Sequence, residues 1–212
     1  MSSEIKSTTV QTNSLKDKTG TRTLASDSGS AWSWGSGLPS GSIAQIQYTQ
    51  YSSQCQMTGI AVDTVYVVCD GTAGSGTEIL NVTITPKITN SKFLLEAQWM
   101  GEFDVYQQQQ NHTFSFLRGS THLAQSGNAG GVQVGWPAYP ASGDNANTPN
   151  GVFLRYFDAP SISAGTATTY KLAYRQYYGS GATLNINRCV DNQDSSGHER
   201  GISSISVTEI AP

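Results

Sequence analysis

The sequence predicts an all-β protein, a sandwich or barrel built from many short strands. Only 13% of the 212 residues are charged, which leaves few side chains for the solvent faces of long helices. Residues that favour strands are frequent, and 22 glycines supply turns. Apolar and polar residues alternate in short segments separated by turn signals, and no stretch scans as a long amphipathic helix.

Residues 1–36 form a region apart from the rest. They are rich in Ser, Thr, Gly and Asp, with too few apolar residues to build a core, so alone this segment is expected to be disordered. It could still become ordered by packing on copies of itself or on a larger assembly. Two tryptophans lie two positions apart, and on an extended chain both point to one side. They either dock on the following domain or anchor a partner. The candidate attachment residues are Ile5, Val10, Leu15, Trp32 and Trp34.

The turn-rich segment "GLPSGS" marks the boundary to a head domain over residues 37–212. After this boundary the sequence predicts a succession of β-strands. The predicted strand segments, in order, are "SIAQIQYTQY", "DTVYVVCD", "EILNVTITPK", "SKFLLEAQWMGEFDVY", "HTFSFLRGSTHLAQ", "GVFLRYFDAP", "TTYKLAYRQYYG", "ATLNINRC" and "ISSISVTEIA". The fourth is the longest apolar run and is expected to lie centrally.

The last segment raises a question because chain ends are usually polar and frayed. Ile202, Ile205, Val207 and Ile210 carry apolar side chains almost to the final position. This pattern predicts a buried terminal strand. Two polar loops also stand out, at residues 126–151 and 191–201, and long loops in compact domains are often functional.

Composition narrows the classes of partner. The net charge is −3 with no basic stripe, so nucleic acid is not expected. No stretch approaches the roughly 18 apolar residues of a membrane span, and the N-terminus lacks the apolar core of a secretory signal. We therefore expect a soluble protein made in a cytoplasm. Cys55, Cys69 and Cys189 have no metal-type spacing and are expected to be free buried thiols, with a Cys55–Cys69 bridge as the open alternative.

The sequence contains no catalytic motif and no cofactor-binding motif. We therefore expect neither an enzymatic activity nor a cofactor. The three histidines, His112, His122 and His198, are scattered, although the first two flank one predicted hairpin and could meet. Acidic residues at 191, 194 and 199 do not fit the calcium-loop spacing, so no metal is expected. On one strand Glu96, Glu102 and Asp104 would share a face, which is more typical of an interface than of a glycosidase site.

Several phrases occur in a fixed order along the chain, of which "ITPKITNSKFLL", "LRGST" and "RGISSISVTEIA" are the most specific. Over essentially its whole length the sequence resembles tail-fibre and virion structural proteins of tailed bacteriophages, especially those of marine bacteria and cyanobacteria. It departs from them in a longer insert around Trp136 and in "YQQQQN".

This resemblance implies an N-terminal virion-attachment arm and a β-jelly-roll head similar to C1q and tumour-necrosis-factor heads, in a homotrimer. It also implies a place on the virion, contacts with other virion proteins through the arm, and contact with a host surface glycan or protein. In such a fold the terminal strand would lie in the middle of a sheet. The loop aromatics are candidates for host contact, because aromatic rings stack on sugar faces: Trp136, Tyr139, Tyr177 and Tyr178.

Two other readings stay open at this point. The chain could be a purely structural adaptor or a capsid or tail decoration protein without a host ligand. It could also be an enzyme that degrades surface polysaccharide, which the missing motifs disfavour.

Overall fold

A computed structural model describes residues 14–16, 23–27, 32–34, 38–103, 112–123, 149–176, 181–193 and 197–212. These residues form sixteen strands and no helix, which confirms the all-β prediction. The strands are β1 (Ser14–Lys16), β2 (Thr23–Asp27), β3 (Trp32–Trp34), β4 (Ile43–Tyr51), β5 (Cys55–Ile60), β6 (Val65–Val67), β7 (Cys69–Thr72), β8 (Thr77–Glu78), β9 (Asn81–Ile84), β10 (Lys92–Phe103), β11 (His112–Arg118), β12 (Thr121–His122), β13 (Asn150–Asp158), β14 (Thr168–Gln176), β15 (Ala182–Ile186) and β16 (Ser203–Ile210).

Two sheets form a sandwich consistent with the jelly-roll prediction. In the larger sheet β10 is central, with β13 along one side and β16 followed by β4 along the other. Beyond the start of β16, β15 continues on the same side of β10 and leads to β5, β7 and β8. The smaller sheet has β11 and β12 on one side of β14, and β9 and β6 on the other.

Aromatic side chains fill the space between the sheets. Trp99 on β10 packs 5.0 Å from Phe114 on β11, and Phe93 packs 5.7 Å from Tyr170 on β14, measured between ring centroids. All four side chains are almost completely buried. The strand predicted to be central therefore supplies the core, because its alternate residues face the second sheet.

The position where β15 joins β10 requires a glycine. A Cβ at Gly101 would overlap the carbonyl oxygen of Asn185 on β15. A side chain here would push the two strands apart, so the branch of the larger sheet depends on this residue.

The edge strand β13 is tied to the smaller sheet by a buried polar cluster. Asp158 at its end accepts bonds from Arg118 Nη1 at 2.7 and 2.8 Å and from the Tyr170 hydroxyl at 2.9 Å. Burial, and next the charge of Asp158, raise the pKa of Tyr170 well above its usual range. Tyr170 therefore stays protonated and donates to Asp158 at any ordinary pH.

The terminal strand β16 lies between β10 and β4, as the resemblance implied. Ile205 and Val207 point inward and are fully buried. Ile202 does not follow the prediction of burial, since its side chain is 49% exposed on the opposite side of the sheet. The pattern of apolar residues could not show that the outward side of this strand is open.

Glu209, on the inward side of β16, is fully buried and fixes the link between β9 and β10. Its carboxylate accepts bonds from the backbone N–H groups of Lys87 and Ile88 at 2.9 to 3.1 Å. Gln45 Nε2 donates at 2.6 Å, and the Ser91 hydroxyl lies 2.6 Å from Oε1. The one charged group on the inward side of the terminal strand is thus surrounded by hydrogen-bond donors.

Three short pieces of the N-terminal segment, residues 14–16, 23–27 and 32–34, are described. Strands β1, β2 and β3 form a small antiparallel sheet, in which the register places Leu15, Ala25 and Trp34 in one row and pairs Trp32 with Asp27. Neighbouring short strands of this sheet satisfy each other's backbone N–H and C=O groups. Ile5 and Val10 lie outside the described residues.

Candidate functional site

The candidate site is the solvent side of the four strands β13, β10, β16 and β4, here called the outer face. Among the described residues no further layer packs on it, whereas the other side of these strands meets the smaller sheet. Antiparallel pairing sets the outward side chains in rows. From β13 to β4 these rows are Phe157–Leu94–Thr208–Ile46, Arg155–Glu96–Ser206–Tyr48 and Phe153–Gln98–Ser204–Gln50.

The outer face exposes an unusual amount of apolar surface. Of the seven large apolar side chains that are exposed in the described part of the chain, six lie on it. They are Ile43 (62%), Phe153 (61%), Ile46 (58%), Tyr48 (58%), Phe157 (50%) and Ile202 (49%). Single exposed apolar residues are ordinary, but a contiguous patch of them marks a binding surface.

The part of this face near the end of β16 is mainly apolar and is here called the apolar half. It consists of Phe157, Leu94 and Ile46 in one row, followed by the row Lys92–Ile210–Ile43, in which Lys92 supplies the one charged group. Thr208, between Leu94 and Ile46, is 8% exposed and adds little polar surface. Such a surface suits burial against another protein.

At the other end of the outer face, near the start of β16, lie two adjoining depressions, here called the trough. The larger has a volume of about 600 Å³ and the smaller about 150 Å³. Both are lined by Gln98 and Ser204, whose short or flexible polar side chains form the floor. The remaining residues that line the trough are Tyr48, Ser52, Glu96, Ala97, Met100, Phe153, Arg200, Gly201, Ile202 and Ser206.

The charged groups of the trough differ in how they are paired. Arg155 donates to Glu96 Oε1 through Nη2 at 2.6 Å and Nε at 3.0 Å, and its guanidinium lies 5.9 Å from the Phe153 ring centroid. Arg200 donates to the carbonyl oxygens of Gln193 at 3.0 Å and Glu199 at 3.4 Å. The Glu96 carboxylate is therefore paired with a cation, whereas the bonds shown for Arg200 are to neutral groups.

The loop between β15 and β16 closes the end of the outer face where β16 starts. Asn187, at φ 59°, donates to the carbonyl oxygens of Tyr51 at 2.7 Å and Ser53 at 2.9 Å. Ser203 donates back to Asn187 Oδ1 at 2.7 Å. A Cβ at Gly201 would overlap the Cβ of Met100, so the loop can approach β10 only with glycine here.

Below this loop Glu102 is 2% exposed and accepts the Val190 N–H at 2.5 Å. Glu96 and Glu102 share the outer side of β10, as predicted, yet one lines the trough and the other is covered. Asp104 lies outside the described residues. In the register His122 lies opposite Leu117 and His112 opposite Gln176, so the two histidines of the predicted hairpin are not cross-strand partners.

None of the candidate host-contact residues can be placed, since Trp136, Tyr139, Tyr177 and Tyr178 all lie outside the described residues. The trough was not predicted. One signal for it existed: Ile46 and Tyr48 break the alternation of the first head strand and mark its outward side. No feature of the sequence indicated that these two residues would lie near Phe153 or Arg200.

The three cysteines are free and buried, which confirms the thiol prediction. Burial raises the pKa of all three thiols, to about 11 for Cys55. Thiolates are the reactive form, so these groups are poor nucleophiles at neutral pH.

The shifted Cys55 thiol predicts a loss of stability at alkaline pH. Below its ordinary pKa of 9.0 the thiol is neutral in both folded and unfolded chains and adds no pH dependence. Between 9.0 and about 11 only the unfolded chain ionises, so the free energy of unfolding should fall as pH rises. Urea titrations at pH 8 to 11 should show a shallower decline for Cys55→Ala than for the unsubstituted protein. Equal slopes would contradict the assignment.

Comparison with protein-family models found no match, and comparison with curated proteins found none either. Within the described ranges, no group of three or more His, Cys, Asp or Glu residues is placed to hold a metal ion. The same ranges contain no helix that is long and apolar enough to cross a membrane.

Proposed function

We propose that this chain is a non-enzymatic virion protein of a tailed bacteriophage, a tail fibre or fibre tip that contacts the host surface. Its heads associate as a homotrimer through the apolar half of the outer face, and its N-terminal arm attaches to other virion proteins. The resemblance of the sequence phrases supports the virion assignment. The exposed apolar half carries the assembly proposal, because a surface of this kind is stable in water when a partner covers it.

The proposal predicts a native mass near three times 22.6 kDa by light scattering after size exclusion. Ile46→Ser combined with Phe157→Ser should shift the protein to the mass of one chain. Both side chains are at least half exposed in the single chain, so the substitutions should leave the fold intact.

Val62→Ser is the matched control, since Val62 is exposed but lies away from the outer face. It should leave the native mass unchanged. If the unsubstituted protein is a folded single chain, the trimer is contradicted. If the double variant is still a trimer, the apolar half is not its interface.

A structural adaptor or decoration protein without a host ligand is the second candidate. The apolar half favours it as well, because that surface needs only a protein partner. Gold labelling of virions with an antibody against the head distinguishes the two: label at the distal tail supports the fibre, and label on the capsid supports decoration.

A further inference from the structure

The trough has the size and the walls of a site for a small polar ligand. Its larger depression, about 600 Å³, falls within the range of about 300 to 1,000 Å³ typical of small-molecule sites. Tyr48 and Phe153 stand more than half exposed on opposite sides of the Ser204 and Gln98 floor. The trough thus combines two exposed aromatic rings with a polar floor, whereas the apolar half offers mainly apolar surface.

This combination matches the chemistry of a sugar chain. A pyranose ring offers an apolar C–H face and a rim of hydroxyl groups that both donate and accept. Aromatic rings cover the first, while serine hydroxyls and a glutamine amide, which also donate and accept, serve the second. Gln98, Ser204 and Ser52 supply these groups in the larger depression.

The charge of the larger depression favours an acidic sugar. Arg200 is one of its lining residues, and no carboxylate is among them. The guanidinium carries five N–H donors in a planar fork that can bind a carboxylate through two parallel bonds. In the smaller depression Glu96 is held by Arg155, so its charge is already balanced.

We propose that the trough binds an acidic oligosaccharide, with a uronate carboxylate on Arg200 and sugar rings against Tyr48 and Phe153. Its biological setting rests on the host-contact function proposed above. The site itself is made of four strands and one loop of a single chain, so it can be tested whatever the place of the protein on the virion.

The test is calorimetric titration of the full-length protein with tetramers of glucuronic, galacturonic and mannuronic acid, with cellotetraose as the neutral reference. At least one acidic tetramer should bind about tenfold more tightly than the neutral one, because a charge-assisted bond exceeds a neutral one. Arg200→Gln should remove this preference. Tyr48→Ala should weaken binding of both acidic and neutral chains.

Lys87→Gln is the charge-matched control, since it also removes one positive charge from an exposed side chain, but at the opposite end of β16. It should leave binding unchanged.

The proposal is overturned if no acidic tetramer binds, if acidic and neutral tetramers bind equally, or if Lys87→Gln weakens binding as much as Arg200→Gln. A lower native mass of Arg200→Gln or Tyr48→Ala would make the trough a subunit contact and would also overturn it. None of these binding results bears on the trimer, which the native mass of the apolar-half variant tests separately.

Discussion

Removal of residues 202–212 should leave no folded protein. The deletion takes out β16, which separates β10 from β4, and so it leaves β4 without its only pairing partner among the described strands. It also removes the fully buried Ile205 and Val207, each of which contributes about 1.5–3 kcal/mol by burial alone. Together with the lost hydrogen bonds on both sides, this approaches the whole stability of about 5–15 kcal/mol of an ordinary domain.

Solubility and the thermal transition followed by circular dichroism measure the outcome. Two single substitutions in β16 test whether the core side of this strand matters, or whether any change near the C-terminus destabilises the protein. Ile205→Ala, which faces the core, should lower the free energy of unfolding by about 2–5 kcal/mol. Ser206→Ala, its outward neighbour, should change it by less than about 0.5 kcal/mol. A truncated chain with the original melting transition would refute the central role of β16.

Substitution of Glu209 by glutamine should be the most damaging single change of a polar residue. The amide has the same shape but replaces one carboxylate oxygen with an NH2 group, which then faces N–H donors. Up to four hydrogen-bonding groups converge on Glu209: two backbone N–H groups, the Gln45 amide and the Ser91 hydroxyl. Leaving buried donors without an acceptor should cost about 3 kcal/mol in the free energy of unfolding.

Glu78→Gln is the control for this experiment because Glu78 pairs with Lys171 near the surface, where its side chain is 39% exposed. Surface pairs contribute up to about 1 kcal/mol, so this variant should unfold close to the original denaturant concentration. Equilibrium urea unfolding of both variants gives the comparison. If the two variants lose the same small stability, the buried cluster around Glu209 is not the tie between β16 and the β9–β10 link.

The outer face shows what an alternating sequence pattern can and cannot predict. Alternation along β10 and β16 identifies two sides of each strand, and the apolar residues of β16 predicted a buried strand without showing whether its outward side is covered. Among the described residues, only the side that meets Phe114 and Tyr170 is covered. Ile202 and Phe153 are exposed because no second layer lies over them in the described part of the chain.

The sequence by itself determined the all-β class, the central place of residues 92–103, the buried terminal strand and the free thiols. These follow from local properties: the period of apolar residues, the scarcity of helix-forming charged residues and the spacing of cysteines. Only the tertiary structure decided the outer face. Its apolar half joins Ile46 to Phe157, and its trough joins Tyr48 to Phe153 and Arg200, residues more than 100 positions apart. Strand order and register bring them together, and both depend on how the whole sheet pairs rather than on any one segment.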